Sequence, residues 1–260
     1  MLRRIVVGLL GCALAAGAAL AQESPLAVSV SSTVTSKYMW NGFDRLETSG
    51  LESGPAIQPG VRVGVKNSPL AVQVGGSFAV NNGSELHETT YGVVVGSAVT
   101  PLVSVGAGYT YYDNRVTEVG GVNVGDRDDH EVWGALEVSS AVGVRPGVTV
   151  KYEKPTQDGA DAYEVVVGSL RYGLPLSGVS VGGVGVKLDW NTSVLYNSGV
   201  TVGGVETVKS GVSAWQVGVS SDLHAGHVVV RPSVNYQVSV EETVNRDNPV
   251  WATVGVSYGF

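Results

Sequence analysis

The chain ends in the alternating stretch Thr253-Val254-Gly255-Val256-Ser257-Tyr258-Gly259-Phe260. In a β-strand, successive side chains point to opposite faces of the sheet. Val254, Val256, Tyr258 and Phe260 would therefore share one face, and the small or polar residues between them would share the other. One face suits hydrocarbon and the other suits water, so the stretch predicts a strand that separates an apolar medium from an aqueous one.

The N-terminal segment has the composition of a secretory signal peptide. Two arginines, Arg3 and Arg4, precede an apolar run, and Ala19-Leu20-Ala21 is a small-residue cleavage site. We therefore predict a signal peptide at residues 1–21. A lipoprotein signal around Cys12 is the alternative, but the apolar run before that cysteine is short.

The remaining chain, residues 22–260, has no composition break and is expected to form one domain. No segment in it reaches the roughly 18 apolar residues that a transmembrane helix needs. Cys12 is the only cysteine, so neither a disulfide nor thiol chemistry is expected after cleavage. Valine and glycine dominate the composition, and valine favours strands.

The charge balance of residues 22–260 is acidic, with 14 basic and 23 acidic residues and a net charge of −9. This balance argues against a nucleic-acid partner. It also points to a preference for cations if the protein conducts ions, although the charges that face a lumen decide such selectivity. Glycine-rich pieces lack a following helix, so no phosphate-binding loop and no cofactor are expected.

Twelve alternating segments follow the signal, and the connections between them alternate between short and long. Tight turns at one end and longer loops at the other are typical of outer-membrane β-barrels. We therefore predict an all-β fold, a closed antiparallel transmembrane β-barrel of about twelve strands, in a bacterial outer membrane. The predicted strands are 26–40, 58–67, 70–80, 87–99, 102–113, 129–140, 144–154, 162–173, 178–190, 212–223, 226–240 and 249–260.

Three features of the second half carry more specific expectations. Leu174-Pro175-Leu176-Ser177 is predicted to be a short turn between the eighth and ninth strands. A change of phase in the ninth strand predicts a β-bulge at Gly182-Gly183. The long connection 191–211 is the loop that we expect to fold into the lumen. The pattern does not decide on which face Glu164 lies.

The polar faces of these strands predict the lining of a lumen. Twelve strands about 4.8 Å apart and tilted by about 45° enclose a backbone radius of roughly 13 Å, and small side chains leave that space open to water. The alternative is a narrow structural lumen in which arginines pair with glutamates. The predicted pore-lining residues are Arg62, Lys66, Gln73, Glu88, Glu131, Glu137, Arg145, Lys151, Glu153, Arg231, Asn235 and Gln237.

Aromatic residues collect near the ends of the predicted strands. An amphipathic ring at that height fits the interfacial girdle of a membrane barrel. A soluble barrel or sandwich would share the period of two, but the signal peptide, the terminal phenylalanine and the alternating loop lengths favour the membrane. The predicted girdle residues are Tyr38, Trp40, Tyr109, Tyr111, Trp215, Tyr236 and Tyr258.

The segment from Thr35 to Asp44, TSKYMWNGFD, followed by GPAIQPG at 54–60, resembles the start of the TorF-like family of bacterial porins. The resemblance covers about 30 residues and the overall layout. It implies an outer-membrane barrel and suggests a pore, without a substrate. Asn41 stands where the family usually has arginine, so no role of that arginine is carried over. The terminal Phe260, with Tyr258 two residues earlier, resembles the assembly signal read by the barrel-insertion machinery.

Two pairs are similar to catalytic elements of omptin-type proteases, Asp126 with Asp128 and Asp222 with His224. A general base needs its partner within hydrogen-bond reach, and these pairs fall at opposite ends of the predicted barrel. We therefore expect no catalytic residue and no enzyme. The acidic residues near Asp128 lack the spacing of a calcium loop, so no metal site is expected.

The expected function is passive diffusion of small polar solutes through an outer-membrane porin. The alternative is a non-conducting barrel, structural or adhesin-like, whose extracellular loops bind a partner. The expected partners are outer-membrane lipid, the barrel-insertion machinery and small polar solutes, and the pattern is compatible with a homo-oligomer.

Overall fold

Twelve long antiparallel strands make up most of the computed structural model. The structure describes residues 25–44, 53–79, 86–116, 128–140, 143–156, 159–181, 184–202, 204–240 and 247–260. No helix in these ranges is long and apolar enough to cross a membrane. The strands are β1 (Leu26–Thr35), β2 (Ala56–Val65), β3 (Leu70–Ala79), β4 (Leu86–Thr100), β5 (Val103–Val116), β6 (Asp129–Val138), β7 (Val144–Pro155), β8 (Tyr163–Val181), β9 (Val184–Asn197), β10 (Gly211–Ser221), β11 (Val228–Ser239) and β12 (Val250–Gly259).

The sheet closes on itself because its first and last strands pair. Each strand is hydrogen-bonded to its neighbours in the chain, and β1 pairs with both β2 and β12. Val30 lies opposite Val61 on one side and Tyr258 on the other. Closure leaves no row of unpaired backbone groups, which is the condition for a sheet to stand in hydrocarbon.

The two faces of the barrel differ as the alternation predicts. Large apolar side chains, among them Val74, Val95, Val150 and Val254, are exposed on the outer surface. Aliphatic area left in water costs roughly 25 cal/mol per Å², so an outer surface of this kind is suited to lipid. Polar side chains and glycines point inward. β1 starts and β12 ends at the same end of the barrel, here called the inner end, and the opposite end is called the outer end.

The boundary predicted between the eighth and ninth strands is wrong. β8 continues through Leu174-Pro175-Leu176-Ser177 to Val181, and the pairing register shifts between Pro175 and Ser180. The irregularity is therefore on β8, where a proline without an N–H group is tolerated. Gly182-Gly183, where a bulge was predicted, lies outside the described residues; Val181 is paired with Val184 on either side of it.

The prediction that 191–211 is an inward-folding loop is also wrong. β9 runs on to Asn197, and Val200–Val202 then pairs with Val205–Val208 in a separate two-stranded hairpin at the outer end. The backbone N–H of Asp161, in the connection before β8, donates a 2.9 Å hydrogen bond to the Thr201 carbonyl oxygen. Glu164, whose face was left open, lies opposite the outward-facing Tyr152 and is exposed on the outer surface.

The segment that enters the lumen is instead the start of the first loop. β1 ends at Thr35, five residues earlier than predicted. Met39–Trp40 then pairs with Phe43–Asp44 around Asn41 and Gly42. These two turn residues have positive φ angles, 49° and 88°, as a two-residue primed hairpin turn requires. We call Met39–Asp44 the lumen hairpin.

Candidate functional site

The lumen hairpin is fastened to several strands around the barrel. The Tyr38 hydroxyl, just before the hairpin, donates a hydrogen bond to Glu88 on β4. Trp40 donates from Nε1 to the Tyr112 hydroxyl on β5 at 3.5 Å, and the two rings meet edge to face with centroids 5.8 Å apart. These contacts hold one side of the hairpin against β4 and β5.

The tip of the hairpin reaches the other side of the lumen. Asn41 donates from Nδ2 to Oε1 of Glu153 on β7 at 2.9 Å. Gln237 on β11 donates from Nε2 to the Gly42 carbonyl oxygen at 2.8 Å. Because β4, β7 and β11 are spread around a twelve-stranded ring, the hairpin spans the lumen instead of lying along one wall.

The hairpin covers polar side chains that would otherwise face water. Glu88 and Glu153 are each 1% exposed, and Gln237 is 0% exposed. Buried polar groups are costly unless they are hydrogen-bonded, and Tyr38, Asn41 and Gly42 supply hydrogen-bond partners here. The hairpin and the barrel wall thus stabilise each other where they meet, and the carboxylates of Glu88 and Glu153 are not exposed to the lumen.

One ion pair beside the hairpin is partly accessible to solvent. Lys151 on β7 lies 2.9 Å from Glu131 on β6, with Nζ and Oε2 as the closest atoms. A cavity of about 310 Å³ lies between the hairpin, strands β7 to β10 and Trp251 of β12. Among the described residues that line this cavity, Lys151 carries the only charge. The lining residues are Met39, Asn41, Gly42, Thr149, Lys151, Val167, Leu195, Gln216 and Trp251.

The inner half of the lumen holds a network of ion pairs. Glu137 on β6 lies 3.8 Å from Arg145 on β7 and 3.2 Å from Arg171 on β8. Asp189 on β9 lies 3.9 Å from Arg145 and 2.9 Å from Lys187. The network therefore joins four neighbouring strands, and its members are partly exposed to the lumen.

A separate ion pair lies across from that network. Arg231 on β11 binds both carboxylate oxygens of Asp222, which follows the end of β10. This pair borders a second cavity of about 330 Å³, next to Ser31 and Thr33 of β1 and His224. The inner half of the lumen is thus polar and partly solvent-exposed on more than one side.

Eleven of the twelve predicted pore-lining residues point toward the interior of the barrel. Lys66 is the error: it lies in the turn after β2 and is exposed there, because β2 ends at Val65. That the others line a conducting pore stays a prediction. The inward-pointing residues are Arg62, Gln73, Glu88, Glu131, Glu137, Arg145, Lys151, Glu153, Arg231, Asn235 and Gln237.

The sequence reasoning missed several lumen residues. Arg171, Lys187 and Asp189 belong to the network on β8 and β9, the two strands whose faces the alternation did not assign clearly. Trp133 also points inward, against Gly106 and Gly108 of β5. The alternation on β6 already implied this position for Trp133, because it shares a face with Glu131 and Glu137.

Two of the predicted girdle residues are also placed differently. Tyr38 and Trp40 lie in the lumen, because the chain leaves the sheet after Thr35 and turns inward. The other predicted girdle residues are on the outer surface. The girdle positions that lie outside are Tyr109, Tyr111, Trp215, Tyr236 and Tyr258.

The outer-end aromatic residues are joined to one another. Tyr111 stacks on Tyr91 with centroids 6.3 Å apart, and its hydroxyl donates to Asp128 at 2.5 Å. The Tyr109 hydroxyl lies 2.7 Å from Nδ1 of His130. At the inner end, Tyr258 contacts Phe260 with centroids 4.6 Å apart. The assembly role of these last two residues stays a prediction.

The residues considered for catalysis are separated as expected. Asp128 is bound to Tyr111 at the outer end, whereas Asp222 is paired with Arg231 in the inner half. Asp126 lies outside the described residues. Within the described ranges, no group of three or more His, Cys, Asp or Glu is placed to hold a metal ion.

Comparison with known proteins gives the fold. No family model matches the sequence, so membership of the TorF-like family stays a prediction. No curated protein matches it either. The chain is similar to the COG4313 outer membrane channel from Pseudomonas putida F1, with a TM-score of 0.60, 10% identity, and coverage of 92% of this chain and 97% of the other.

Two further solved structures resemble it over their whole length. A bacterial polysaccharide outer membrane secretin matches with a TM-score of 0.53 and 7% identity, covering 90% of this chain and 98% of the other. The KdgM porin in complex with disordered oligogalacturonate matches with a TM-score of 0.51 and 8% identity, covering 90% and 99%. The chain therefore has the fold of bacterial outer-membrane β-barrels.

Proposed function

We propose that the protein is an outer-membrane channel for passive diffusion of small polar solutes, narrowed by the lumen hairpin. The observation that carries this proposal is the partly hydrated, charged wall of the inner half, where Arg171, Lys187 and Arg231 keep more than half of their side-chain surface exposed. Such a wall replaces part of a polar solute's hydration shell, so entry does not require full desolvation.

The space beside the hairpin supports passage rather than full closure. The cavity of about 310 Å³ between the hairpin and β7 to β10 has room for about ten water molecules at roughly 30 Å³ each. Thr149, Lys151 and Gln216 give it polar groups at intervals along the wall. We propose that a small hydrated solute moves along this side while the hairpin keeps its contacts with the wall.

The fold neighbours support a channel without identifying its solute. The similarity to an outer membrane channel and to a porin is a similarity of fold, at 10% and 8% identity. The oligogalacturonate belongs to the KdgM porin and is not carried over to this chain. The proposal assigns no catalytic role, because Asp222, a candidate base, accepts hydrogen bonds from Nε and Nη2 of Arg231.

The proposal also includes the surroundings of the barrel. The apolar outer surface is suited to outer-membrane lipid. Tyr258 at the end of β12 and Phe260 just after it would be presented to the barrel-insertion machinery. The chain would reach this membrane after removal of residues 1–21. The outward aromatic residues at both ends would then lie at headgroup depth.

Conductance of the purified, folded protein in a planar lipid bilayer tests the channel. We expect stepwise current increases in KCl, and swelling of protein-containing liposomes in small polar solutes. The control is the same protein added from urea without refolding, which should give no defined steps. Absence of stepwise current from the folded protein would reject the channel and favour the non-conducting surface barrel.

A further inference from the structure

We infer that the lumen favours small anions, which pass the hairpin along a track of cationic side chains on β7, β8 and β9. This inference rests on the proposed channel and names its substrate class. The cation track is defined as Lys151 and Arg145 on β7, Arg171 on β8 and Lys187 on β9.

The track continues from the hairpin toward the inner end. Lys151 lines the cavity beside the hairpin. Arg145 lies six residues away on the same face of β7, which is roughly 20 Å at about 3.3 Å per residue. Arg145 is directly opposite Arg171 in the pairing of β7 with β8, and it shares Asp189 with Lys187. Cationic groups therefore stand at successive heights on one side of the lumen.

In the ion pairs of the inner half, the cationic side chains are more exposed than the carboxylates. Arg171 is 55% exposed and its partner Glu137 is 30% exposed. For Lys187 and Asp189 the values are 53% and 26%, and for Arg231 and Asp222 they are 61% and 27%. The carboxylates lie closer to the wall, so a solute in the lumen water meets the positive end of each pair first.

The carboxylates of the outer half do not cancel the positive charge of the cation track on the side of the lumen where the cavity lies. Glu88 and Glu153 are buried beneath the hairpin contacts, and Glu131 is buried against Lys151. The charge that borders the cavity beside the hairpin is that of Lys151. The exposed charges along this route are therefore predominantly positive.

A glycine on β8 makes room for one member of the track. A Cβ atom at Gly173 would lie 2.1 Å from Cε and 2.4 Å from Nζ of Lys187. With glycine at this position, the Lys187 side chain lies flat against the wall and reaches Asp189 without filling the lumen. The acidic net charge of the chain predicted a cation preference, but selectivity follows the charges at the pore wall.

Reversal potentials in a KCl gradient test the track. We expect the wild-type channel to pass Cl⁻ better than K⁺, and Arg171→Gln with Lys187→Gln to lower the permeability ratio of Cl⁻ to K⁺ by about twofold or more. Arg145 is kept in this variant so that Glu137 and Asp189 both retain a cationic partner. If the double variant does not fold, Lys187→Gln alone gives the same comparison with a smaller shift.

The matched control is Lys154→Gln, which removes one positive charge, as Lys187→Gln alone does, from the outer face of β7, three residues from Lys151. Its permeability ratio should equal that of the wild type. A wild-type channel that prefers K⁺, or a conducting double variant with the wild-type ratio, would overturn the track while leaving the channel intact. Absence of any current from the folded wild-type protein would overturn both.

Discussion

Asn41, at the tip of the lumen hairpin, donates a 2.9 Å hydrogen bond to Glu153 on the opposite side of the barrel. The hairpin follows β1, and Glu153 is on β7, six strands away in a ring of twelve. Because Glu153 is almost completely buried, water does not compete for this bond. Together with the hydrogen bond from Gln237 to the Gly42 carbonyl oxygen, this contact holds the hairpin across the lumen.

Asn41→Asp should release the hairpin tip. The change removes the donor and sets a second carboxyl group against Glu153, so the hairpin loses a buried hydrogen bond worth about 0.5–1.5 kcal/mol. At about 1.4 kcal/mol per factor of ten, the population with a displaced tip should rise about two- to tenfold. Single-channel recording should show longer or more frequent high-conductance states.

The control for this change is Asn67→Asp in the turn between β2 and β3. Asn67 also has a positive φ, 64°, against 49° at Asn41, so both sites receive the same chemical change in a similar backbone conformation. Aspartate tolerates this conformation. The Asn67 variant should gate as the wild type does; equal effects of both variants would contradict an anchor at Asn41.

Trp40→Ala should widen the channel on the β5 side. Trp40 packs edge to face on Tyr112 and donates to its hydroxyl, so alanine removes a ring from the lumen along with both contacts. We expect a larger unitary conductance and faster liposome swelling with larger sugars. The alanine variant should still insert into membranes, because the removed ring lies inside the barrel.

Trp215→Ala removes the same ring from the lipid-facing surface, where Trp215 is 55% exposed. Its unitary conductance should match that of the wild type, and its partitioning into bilayers should weaken because an interfacial anchor is lost. A conductance increase in the Trp215 variant, with none in the Trp40 variant, would show that the hairpin does not narrow the path.

The sequence predicts the sheet well because its period of two is local information. Alternation from Val103 to Tyr111 and from Val228 to Val238 was enough to assign both faces of β5 and β11. Around β8 the prediction failed because two turn signals competed. Leu174-Pro175 is the turn in that prediction, although glycine pairs such as Gly182-Gly183 are the stronger hairpin signal. That choice displaces the bounds of the ninth strand, and the change of phase within the predicted strand leaves Lys187 and Asp189 without an assigned face.

The sequence indicates the turn of the lumen hairpin, but not the residues that the hairpin contacts. Asn41-Gly42 between Trp40 and Phe43 is a strong signal for a two-residue hairpin turn, and it was overlooked in favour of a girdle. The hairpin's partners could not be predicted in the same way. Glu88 and Glu153 are 50 and 112 residues from the groups that bind them, and this pairing depends on the closed barrel.

Gly108→Ala should destabilise the barrel or displace Trp133. A Cβ atom at Gly108 would lie 2.6 Å from the Trp133 ring, which is closer than side chains approach. Overpacking of this kind costs about 1–3 kcal/mol. The free energy of unfolding, from urea titration of the protein in lipid vesicles, should fall by that amount.

Gly134→Ala is the matched control for Gly108, on the neighbouring strand β6. Nothing lies within 4 Å of a Cβ atom at Gly134. Since glycine weakens a strand interior, alanine there should leave the free energy of unfolding unchanged or raise it slightly. An equal loss in both variants would mean that the strand, and not the contact with Trp133, sets the requirement for glycine.

Phe260→Ala should reduce the amount of folded protein in the outer membrane severalfold, because the terminal ring is the predicted assembly signal. The backbone N–H of Phe260 still donates to the Val28 carbonyl oxygen at 2.9 Å in this variant, so β12 keeps its last bond to β1. Spontaneous refolding into vesicles, which involves no insertion machinery, should therefore be almost unchanged.

Val254→Ala, on the same outward face of β12, should preserve normal cellular levels. If refolding in vesicles fell as much as the cellular level, the ring would act through packing against Tyr258, and the assembly signal would be refuted.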